Sequence, residues 1–230
     1  MEEEELKSEG KCLFCKQIYA QKEIGKHLAK HLADMEKTDS GKTTQIYNHI
    51  EVEAGEMFLH LLVMGDAPMK KIDSYLRDIW LECCGHMSSF GHKNFKVSMS
   101  HKVSNVFAPK VKIFHDYDFG TTTRVFLKAL KSYNLTMKDK LILLSRNEPL
   151  KLMCAACKTE LAVNLCTTCN YDGYSFFCES CSAKHEEVCS DFADYSCMPV
   201  VNSPRMGECG YTGGTIDIER DSPNQKYRSE

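Results

Sequence analysis

The chain has 230 residues, of which 43% are hydrophobic, so it can bury one medium-sized core with smaller modules attached. Its formal net charge of −3 means that the overall charge of the molecule does not attract it to nucleic acid or to an anionic membrane. No apolar run approaches the roughly 18 residues of a membrane-spanning helix, and the start, Met1-Glu2-Glu3-Glu4-Glu5, is too acidic for a secretory signal. We therefore expect a cytoplasmic protein with no membrane partner, whose 13 cysteines stay reduced.

Charge is distributed unevenly along the chain. Residues 1–90 carry 11 basic and 16 acidic residues, residues 91–151 carry 12 and 4, and residues 152–230 carry 6 and 12. A basic middle between two acidic ends is either a surface that faces a partner or the solvated face of a lysine-rich sheet. The sequence leaves both interpretations open.

The first chemical motif follows an acidic tail predicted at residues 1–10. It contains two cysteines separated by two residues and, eleven residues later, two histidines separated by three: Cys12, Cys15, His27 and His31. The short cysteine gap lets one tight turn direct both thiolates at a single ion, and histidines at this spacing share one helix face. Residues 11–32 resemble a C2H2 zinc finger, which implies a small ββα module that holds one Zn²⁺.

Zinc binding by this module does not imply that it reads a DNA sequence. The positions from which a DNA-reading finger contacts bases correspond to Ala20, Glu23 and Lys26. Ala20 offers no hydrogen bond, Glu23 repels phosphate, and one finger covers only about three base pairs. Four lysines of the module are candidates for contact with a nucleic-acid backbone: Lys16, Lys22, Lys26 and Lys30. We therefore expect auxiliary contact to nucleic acid or protein rather than sequence-specific recognition.

The next two segments are predicted to be a polar linker at residues 33–50 and a central domain at residues 51–151. In the central domain, hydrophobic periodicity predicts a helix from Pro68 to Cys83. Strands are predicted at 57–64, 86–90, 111–117, 121–130 and 141–144. This order predicts an α+β fold, with an antiparallel or mixed sheet and a helix on one face, flanked by the ββα finger and a cross-brace-like two-zinc module.

That second module is predicted at residues 152–211 and is followed by a polar tail at 212–230. Three Cys-x2-Cys pairs recur every twelve residues, and a histidine and a cysteine follow them: Cys154, Cys157, Cys166, Cys169, Cys178, Cys181, His185 and Cys189. Alternating use would join the first pair to the third and the second pair to His185 and Cys189, with Cys209 competing for the last position. Such closed four-ligand sites hold structure and do not catalyse. With the finger, the chain is expected to bind about three Zn²⁺ ions.

Three groups of residues in the central domain carry a further resemblance: Leu76-x3-Trp80, His86-x3-Phe90 and Tyr117-Asp118-Phe119-Gly120. Downstream, the segments Pro199 to Gly207 and Cys209 to Gly213 are similar to an extension found in some prokaryotic proteins. Together these segments resemble the plasmid pRiA-type ORF-three-like family over most of residues 55–213. The resemblance implies an α+β fold and a prokaryotic setting on a plasmid or other mobile element.

The leading functional hypothesis is a zinc-binding, non-enzymatic interaction protein associated with nucleic acid, with no small-molecule substrate indicated. One alternative is a protein–protein adaptor that acts through the C-terminal zinc module. Another is an enzyme that uses histidines and aspartates of the central domain: His86, His92, His101, His115, Asp116 and Asp118. The adjacent Cys83 and Cys84 are a further redox candidate.

Overall fold

The computed structural model describes residues 8–41, 43–108, 111–172 and 175–221, and the chain divides into two units. The first unit runs to Leu76 and resumes over His86–Glu148, whereas the second contains Arg77–Gly85 and the chain from Pro149 onward. The fold is α+β, and the strands that the structure describes pair antiparallel, as predicted. Within the described ranges, no helix is both long and apolar enough to cross a membrane.

The first unit is built on one large sheet. Its strands are β1 (Glu9–Lys11), β2 (Ile18–Ala20), β3 (Gln45–Ala54), β4 (Met57–Met64), β5 (Ser88–His92), β6 (Phe95–Val97), β7 (Lys112–Tyr117), β8 (Thr123–Leu135) and β9 (Leu141–Arg146). Its helices are α1 (Gln21–Thr38), α2 (Met69–Leu76) and α3 (Val103–Val106). Strands β1 and β2 form a hairpin, and the other seven form a sheet in the order β6-β5-β7-β8-β3-β4-β9.

Both faces of the seven-stranded sheet are covered where β4 passes through it. All eight residues of β4 are buried, as expected for an apolar strand with a cover on each side. The strand register places His60 and His115 on opposite faces. Helix α2 lies over the His115 face, where Asp73 contacts His115, and α1 lies over the other face, where a Cβ added to Gly25 would meet His60 at 3.1 Å.

The predicted linker at residues 33–50 is wrong for most of its length. Helix α1 continues to Thr38 and strand β3 begins at Gln45, so only a short segment separates them. The finger is also not a free module at 11–32, because the Leu13 amide donates to the Leu144 carbonyl at 3.0 Å and Gly10 forms an antiparallel bridge with Asn147. The finger is therefore part of the first unit.

The predicted helix from Pro68 to Cys83 is shorter than expected and changes character. Helix α2 ends at Leu76, and the chain continues as a π-helical segment over Arg77–Leu81. The hydroxyl of Ser203 donates to the carbonyl of Trp80 at 2.6 Å. The amide of Thr215 donates to the carbonyl of Asp78 at 2.7 Å. Segment 77–85 is thus built into the second unit rather than into the sheet domain.

Over its described residues, the second unit has short regular elements and includes two small clusters of buried side chains. Its strands β10 (Asn164–Cys166), β11 (Phe176–Phe177) and β12 (Cys197–Pro199) form a sheet in the order β11-β10-β12, and α4 spans Glu179–Glu186. One cluster contains only ordinary apolar side chains, among them Leu165, Met198 and Val200. The other consists of Cys166, Phe177 and Phe192, with further cysteines packed around it.

The polar tail predicted at 212–230 is structured over its first ten residues. Residues Ile218–Arg220 form a 3₁₀ turn, and Asp221 is fully buried. The side-chain carboxylate of Asp221 accepts a hydrogen bond from the amide of Gly214 at 2.8 Å. The backbone carbonyl of Asp221 accepts one from the amide of Asn202 at 2.6 Å. Residues 222–230, like residues 1–7 of the predicted acidic tail, lie outside the described residues.

Candidate metal centres

The hairpin β1–β2 and helix α1 bring the four predicted finger ligands together. Their ligand atoms all lie within 4.8 Å of one another. The Cys15 Sγ lies 3.2 Å from the His27 Nε2, which lies 3.1 Å from the His31 Nε2. Tetrahedral zinc, with bonds of about 2.0 Å to nitrogen and 2.3 Å to sulfur, separates its ligand atoms by roughly 3.3–3.6 Å. The donor set and its spacing therefore fit one Zn²⁺.

Two of the cysteine turns share an unusual backbone geometry. Lys16 and Lys158, each following the second cysteine of a Cys-x2-Cys pair, have positive φ angles of 64° and 58°. Their amides donate to the carbonyls of Cys12 and Cys154, at 2.8 and 2.9 Å. Positive φ is uncommon for residues other than glycine. The same closed turn occurs once in each unit, which fits a common role of directing two thiols toward one point.

The second unit contains two further groups whose composition matches the predicted cross-brace. One is Cys154, Cys157, Cys178 and Cys181, and the other is Cys166, Cys169, His185 and Cys189. The Sγ atoms of Cys157 and Cys178 are 3.9 Å apart, and those of Cys169 and Cys189 are 4.0 Å apart. Four thiolates at about 2.3 Å from a zinc ion lie about 3.8 Å apart. Both groups fit closed structural sites.

Cys209 does not take the position for which it was a candidate. Cys189 fills the last place of the His185 group, whereas the Cys209 Sγ lies 3.6 Å from the Cys84 Sγ. The choice between Cys189 and Cys209 depends on tertiary contacts that residue spacing does not reveal. Sequence reasoning therefore missed the association of Cys209 with Cys83 and Cys84.

Aromatic packing fixes the one imidazole of the second unit's sites. The His185 ring stacks on Phe177 at a centroid distance of 4.2 Å and meets the edge of Phe192 at 4.9 Å. Helix α4 carries both Cys181 and His185. Both residues pack beside the small cluster of Cys166, Phe177 and Phe192, so a metal ion bound here would couple to folding of this region.

Each group of the second unit contains at least one thiol whose pKa is lowered. Hydrogen bonds from the side chain and amide of Thr159 lower the pKa of Cys157 to about 6. Burial raises the pKa of Cys166, but hydrogen bonds from Ser196 and from the Cys169 amide outweigh burial and lower that pKa to about 6. A thiolate is the form of cysteine that binds metal, so each site starts from a ready ligand.

Crowding has the opposite effect on other thiols of the same groups. The hydrogen bond with Cys178, together with burial, raises the pKa of Cys181 to about 12. Burial and hydrogen bonds with Cys166 and Cys189 raise the pKa of Cys169 to about 12. Neighbouring thiolates therefore oppose full ionisation, and a divalent cation would supply the positive charge that a complete set requires.

The four lysines predicted to touch a nucleic-acid backbone are all exposed: Lys16, Lys22, Lys26 and Lys30. Three of them follow one another at four-residue intervals on α1 and so form one stripe. The buried residues of the same helix are Ile24, Leu28 and Leu32, which face inward. The three positions equivalent to base-reading positions, Ala20, Glu23 and Lys26, are also exposed.

Much of the positive charge of residues 91–151 is neutralised within the protein. Four of its basic residues lie 2.6–3.3 Å from carboxylates: Lys102 from Asp66, Lys112 from Glu53, Arg124 from Asp116 and Lys128 from Glu51. A fifth, Arg146, is fully buried. For these residues the structure favours the ion-paired face of a sheet over a continuous basic surface.

The histidines and aspartates considered as a catalytic group occupy separate contacts. The His115 Nε2 lies 2.8 Å from the Asp73 Oδ1, and both side chains are fully buried. The His86 Nε2 lies 3.5 Å from the Asp118 Oδ2, and the Asp118 Oδ1 accepts the Gly120 amide at 2.9 Å, as expected for a turn carboxylate. The others are placed apart: His92 beside the Lys112 carbonyl, His101 exposed, and Asp116 paired with Arg124.

Sequence reasoning missed a buried pair of histidines between β3 and β4. The His49 Nε2 lies 3.0 Å from the His60 Nδ1, and the Glu51 Oε1 lies 3.7 Å from the His60 Nε2. Burial lowers the pKa of His49 to about 4, and burial, with the charges of His49 and Lys128, lowers the pKa of His60 well below its usual value. The pair is therefore neutral at pH 7.

No family model and no curated protein matches the chain. Among solved structures, the chain is similar to the crystal structure of a protein of unknown function, MM3350, from Methanosarcina mazei Go1. The two are 13% identical, the similarity covers 46% of this chain and 70% of that chain, and the TM-score is 0.39. The resemblance of the central domain to the pRiA-type family stays a prediction.

Proposed function

We propose that the protein is a zinc-organised, non-enzymatic protein that binds nucleic acid through phosphate contacts made by the finger helix. Its three closed Cys/His groups would hold structural zinc, in a reducing compartment such as the cytoplasm that keeps the thiols available. The observation that carries the proposal is the exposed stripe of Lys22, Lys26 and Lys30 on α1.

The stripe is carried by a helix that is fixed to the sheet. The Tyr133 hydroxyl donates to the Ala29 carbonyl at 3.4 Å, and the Asn134 amide donates to the Glu36 Oε1 at 2.6 Å. Lysines on an anchored helix keep a constant spacing, which suits contact with successive phosphates of a backbone. Ala20 and Glu23 provide no base-reading donors, so the proposed binding is independent of sequence.

The proposal is tested by measuring affinity for duplex DNA and RNA across a range of salt concentrations. Changing Lys22, Lys26 and Lys30 to Gln should weaken binding at least tenfold at low salt. It should also reduce the slope of log K against log[salt] by about 2 to 3, because about 0.9 counterions are released per phosphate contact. The matched control changes three other exposed lysines to Gln: Lys96, Lys138 and Lys140.

Two results would contradict the proposal. Binding that does not change with salt would exclude phosphate contacts as its source. An equal loss of affinity in the control variant would show that total charge, and not the finger helix, governs binding.

A second candidate function is protein–protein docking by the second unit. Val188 is 82% exposed and Tyr195 is 72% exposed, and three exposed acidic residues lie close to them in sequence: Glu186, Glu187 and Asp194. Exposed apolar side chains with an acidic rim are typical of a surface that contacts a protein. A specific partner should survive nuclease treatment, be lost on Val188→Ser with Tyr195→Ser, and be retained by the lysine variant.

A further inference from the structure

Three thiols of the second unit that belong to none of the closed sites converge. The Cys84 Sγ lies 3.8 Å from the Cys83 Sγ and 3.6 Å from the Cys209 Sγ. All three sulfur atoms lie within 4.8 Å of one another, although Cys209 comes from a distant part of the chain. Cys84 and Cys209 are exposed and Cys83 is half-buried, which distinguishes this group from the closed sites.

The spacing of these thiols fits coordination of a metal. Sulfur ligands of one tetrahedral zinc ion lie about 3.8 Å apart. A disulfide would bring two sulfur atoms to about 2.05 Å. The two separations, 3.8 and 3.6 Å, are thus compatible with a shared cation and too long for a covalent bond.

The local fold builds this arrangement rather than leaving it to mobile side chains. Segment 77–85 is held by the Ser203 hydroxyl on the Trp80 carbonyl, and a Cβ added to Gly214 would lie only 2.4 Å from the Ile79 carbonyl oxygen. Cys209 itself has a φ angle of 48°, an uncommon backbone conformation for a residue other than glycine. The turn therefore places the Cys209 thiol over segment 77–85.

A buried cation lies beside one thiol of the group. The Nη2 of Arg205 lies 3.8 Å from the Cys83 Sγ, and Arg205 is fully buried. A buried guanidinium needs negative charge close by, and a thiolate can provide part of it. Three thiolates with a divalent cation carry one net negative charge, which the guanidinium offsets.

We propose that Cys83, Cys84 and Cys209 form a fourth metal site, for a thiophilic cation such as Zn²⁺, that exchanges its ion more readily than the three closed sites. Thiolate ligands select zinc and other soft ions over Mg²⁺ or Ca²⁺. Exposure of two of its three ligands gives a chelator direct access. In the sequence, His86 follows Cys84 by two residues, so an imidazole lies close along the chain, but the proposal rests on the three thiols.

The test is the zinc content of the full chain, measured by native mass spectrometry under reducing, zinc-saturated conditions. The wild type should hold four zinc ions, and both Cys84→Ser and Cys209→Ser should hold three. Cys197→Ser is the matched control, because Cys197 is also exposed yet joins no metal-type group among the described residues, and it should hold four. Hydrogen exchange of strands β10 to β12 checks that the variants remain folded.

Release kinetics with a coloured zinc chelator give an independent readout. One zinc ion per chain should leave at least ten times faster than the rest, and this fast phase should be absent from Cys209→Ser. A wild type with three zinc ions, unchanged by the Cys84 and Cys209 substitutions, would overturn the proposal and leave the closed sites intact. So would a mass 2 Da lower, with a disulfide among these thiols, in the protein purified without oxidant.

Discussion

The two units of this protein are held together by different means. The first has a seven-stranded sheet whose strand β4 is buried along its whole length. Over its described residues, the second has three strands of two or three residues and an α-helix of eight, and one of its apolar clusters is lined by cysteines. Elements this short bury little apolar surface by themselves, so bound metal would add stability that regular structure does not supply. The comparison shows that the second unit has Cys/His groups at its centre where the first unit has a buried apolar strand.

The finger is an instructive intermediate between these two cases. It has the Cys/His group of a metal-dependent module, yet Ile24, Leu28 and Leu32 of its helix are fully buried. Since the finger belongs to the sheet unit, its helix has packing that does not depend on an ion. The finger should therefore tolerate loss of metal better than the second unit does.

Removal of metal is expected to have the largest effect on stability, and this effect should be much greater in the second unit than in the first. A strong chelator with reductant should raise amide exchange about 100-fold or more across residues 149–221, because binding of structural zinc is also folding free energy. Strands β3, β4 and β8 should change by only a few-fold. Hydrogen-exchange mass spectrometry checks this expectation, and equal loss of protection in both units would contradict the comparison.

Loss of one ligand should reproduce this effect in a single site. Cys178→Ala removes a buried member of the four-cysteine group, so the chain should lose one zinc ion and the second unit several kcal/mol of stability. Native mass and thermal unfolding measure the two effects. Cys197→Ala, which removes an exposed cysteine outside the groups, should change neither. A fully loaded, equally stable Cys178→Ala protein would show that this thiol is not a ligand.

A core substitution in the sheet should destabilise the first unit and leave the second unit unaffected. Leu61 is fully buried in β4, so Leu61→Ala should cost about 2–5 kcal/mol through lost burial and the cavity that remains. Urea unfolding followed by exchange in β3 and β4 measures the cost, and the zinc content should be unchanged. Zinc loss from the two Cys/His groups of the second unit in this variant would mean that the two units do not fold separately.

Acid should weaken the sheet unit through its buried histidines. Burial lowers the pKa of His49 to about 4 in the folded protein, whereas an unfolded histidine titrates near 6.5. The unfolded chain therefore binds more protons between these values. Stability from this residue is complete above about pH 6.5 and falls toward pH 4 by up to about 1.4 kcal/mol per pH unit, roughly 3 kcal/mol in all.

This acid sensitivity is measured by urea unfolding of strands β3 and β4 between pH 7 and pH 5, with zinc in excess. A variant with His49→Gln and His60→Gln provides the control, since neither glutamine titrates. Its stability should depend less steeply on pH over the same interval. An identical slope in the variant would assign the effect to other groups, such as the metal ligands.

The sequence predicted some parts of the molecule well because local rules decide them. Strand β4 lies at its predicted residues 57–64, since an unbroken apolar run between turns has few alternatives. The three Cys-x2-Cys pairs group as expected, since short loops between ligand pairs favour alternating use.

Other parts depend on tertiary contacts that leave little trace in the sequence. The predicted linker included the start of β3, Gln45 to Ile50, because buried polar side chains such as Asn48 and His49 interrupt an apolar alternation there. The place of Cys209 follows from a long-range contact with Cys84. The predicted polar tail is fixed by the buried carboxylate of Asp221, which composition alone marks as exposed.

The π-helical segment at Arg77–Leu81 has a consequence for how the protein is made. Trp80, fully buried in the folded molecule, emerges from the ribosome about 120 residues before Ser203, which donates to its carbonyl. At about 5–20 residues per second, the Trp80 carbonyl lacks its Ser203 partner for roughly 6 to 25 s. The segment Arg77–Leu81 therefore gains this hydrogen bond only after most of the chain has been made.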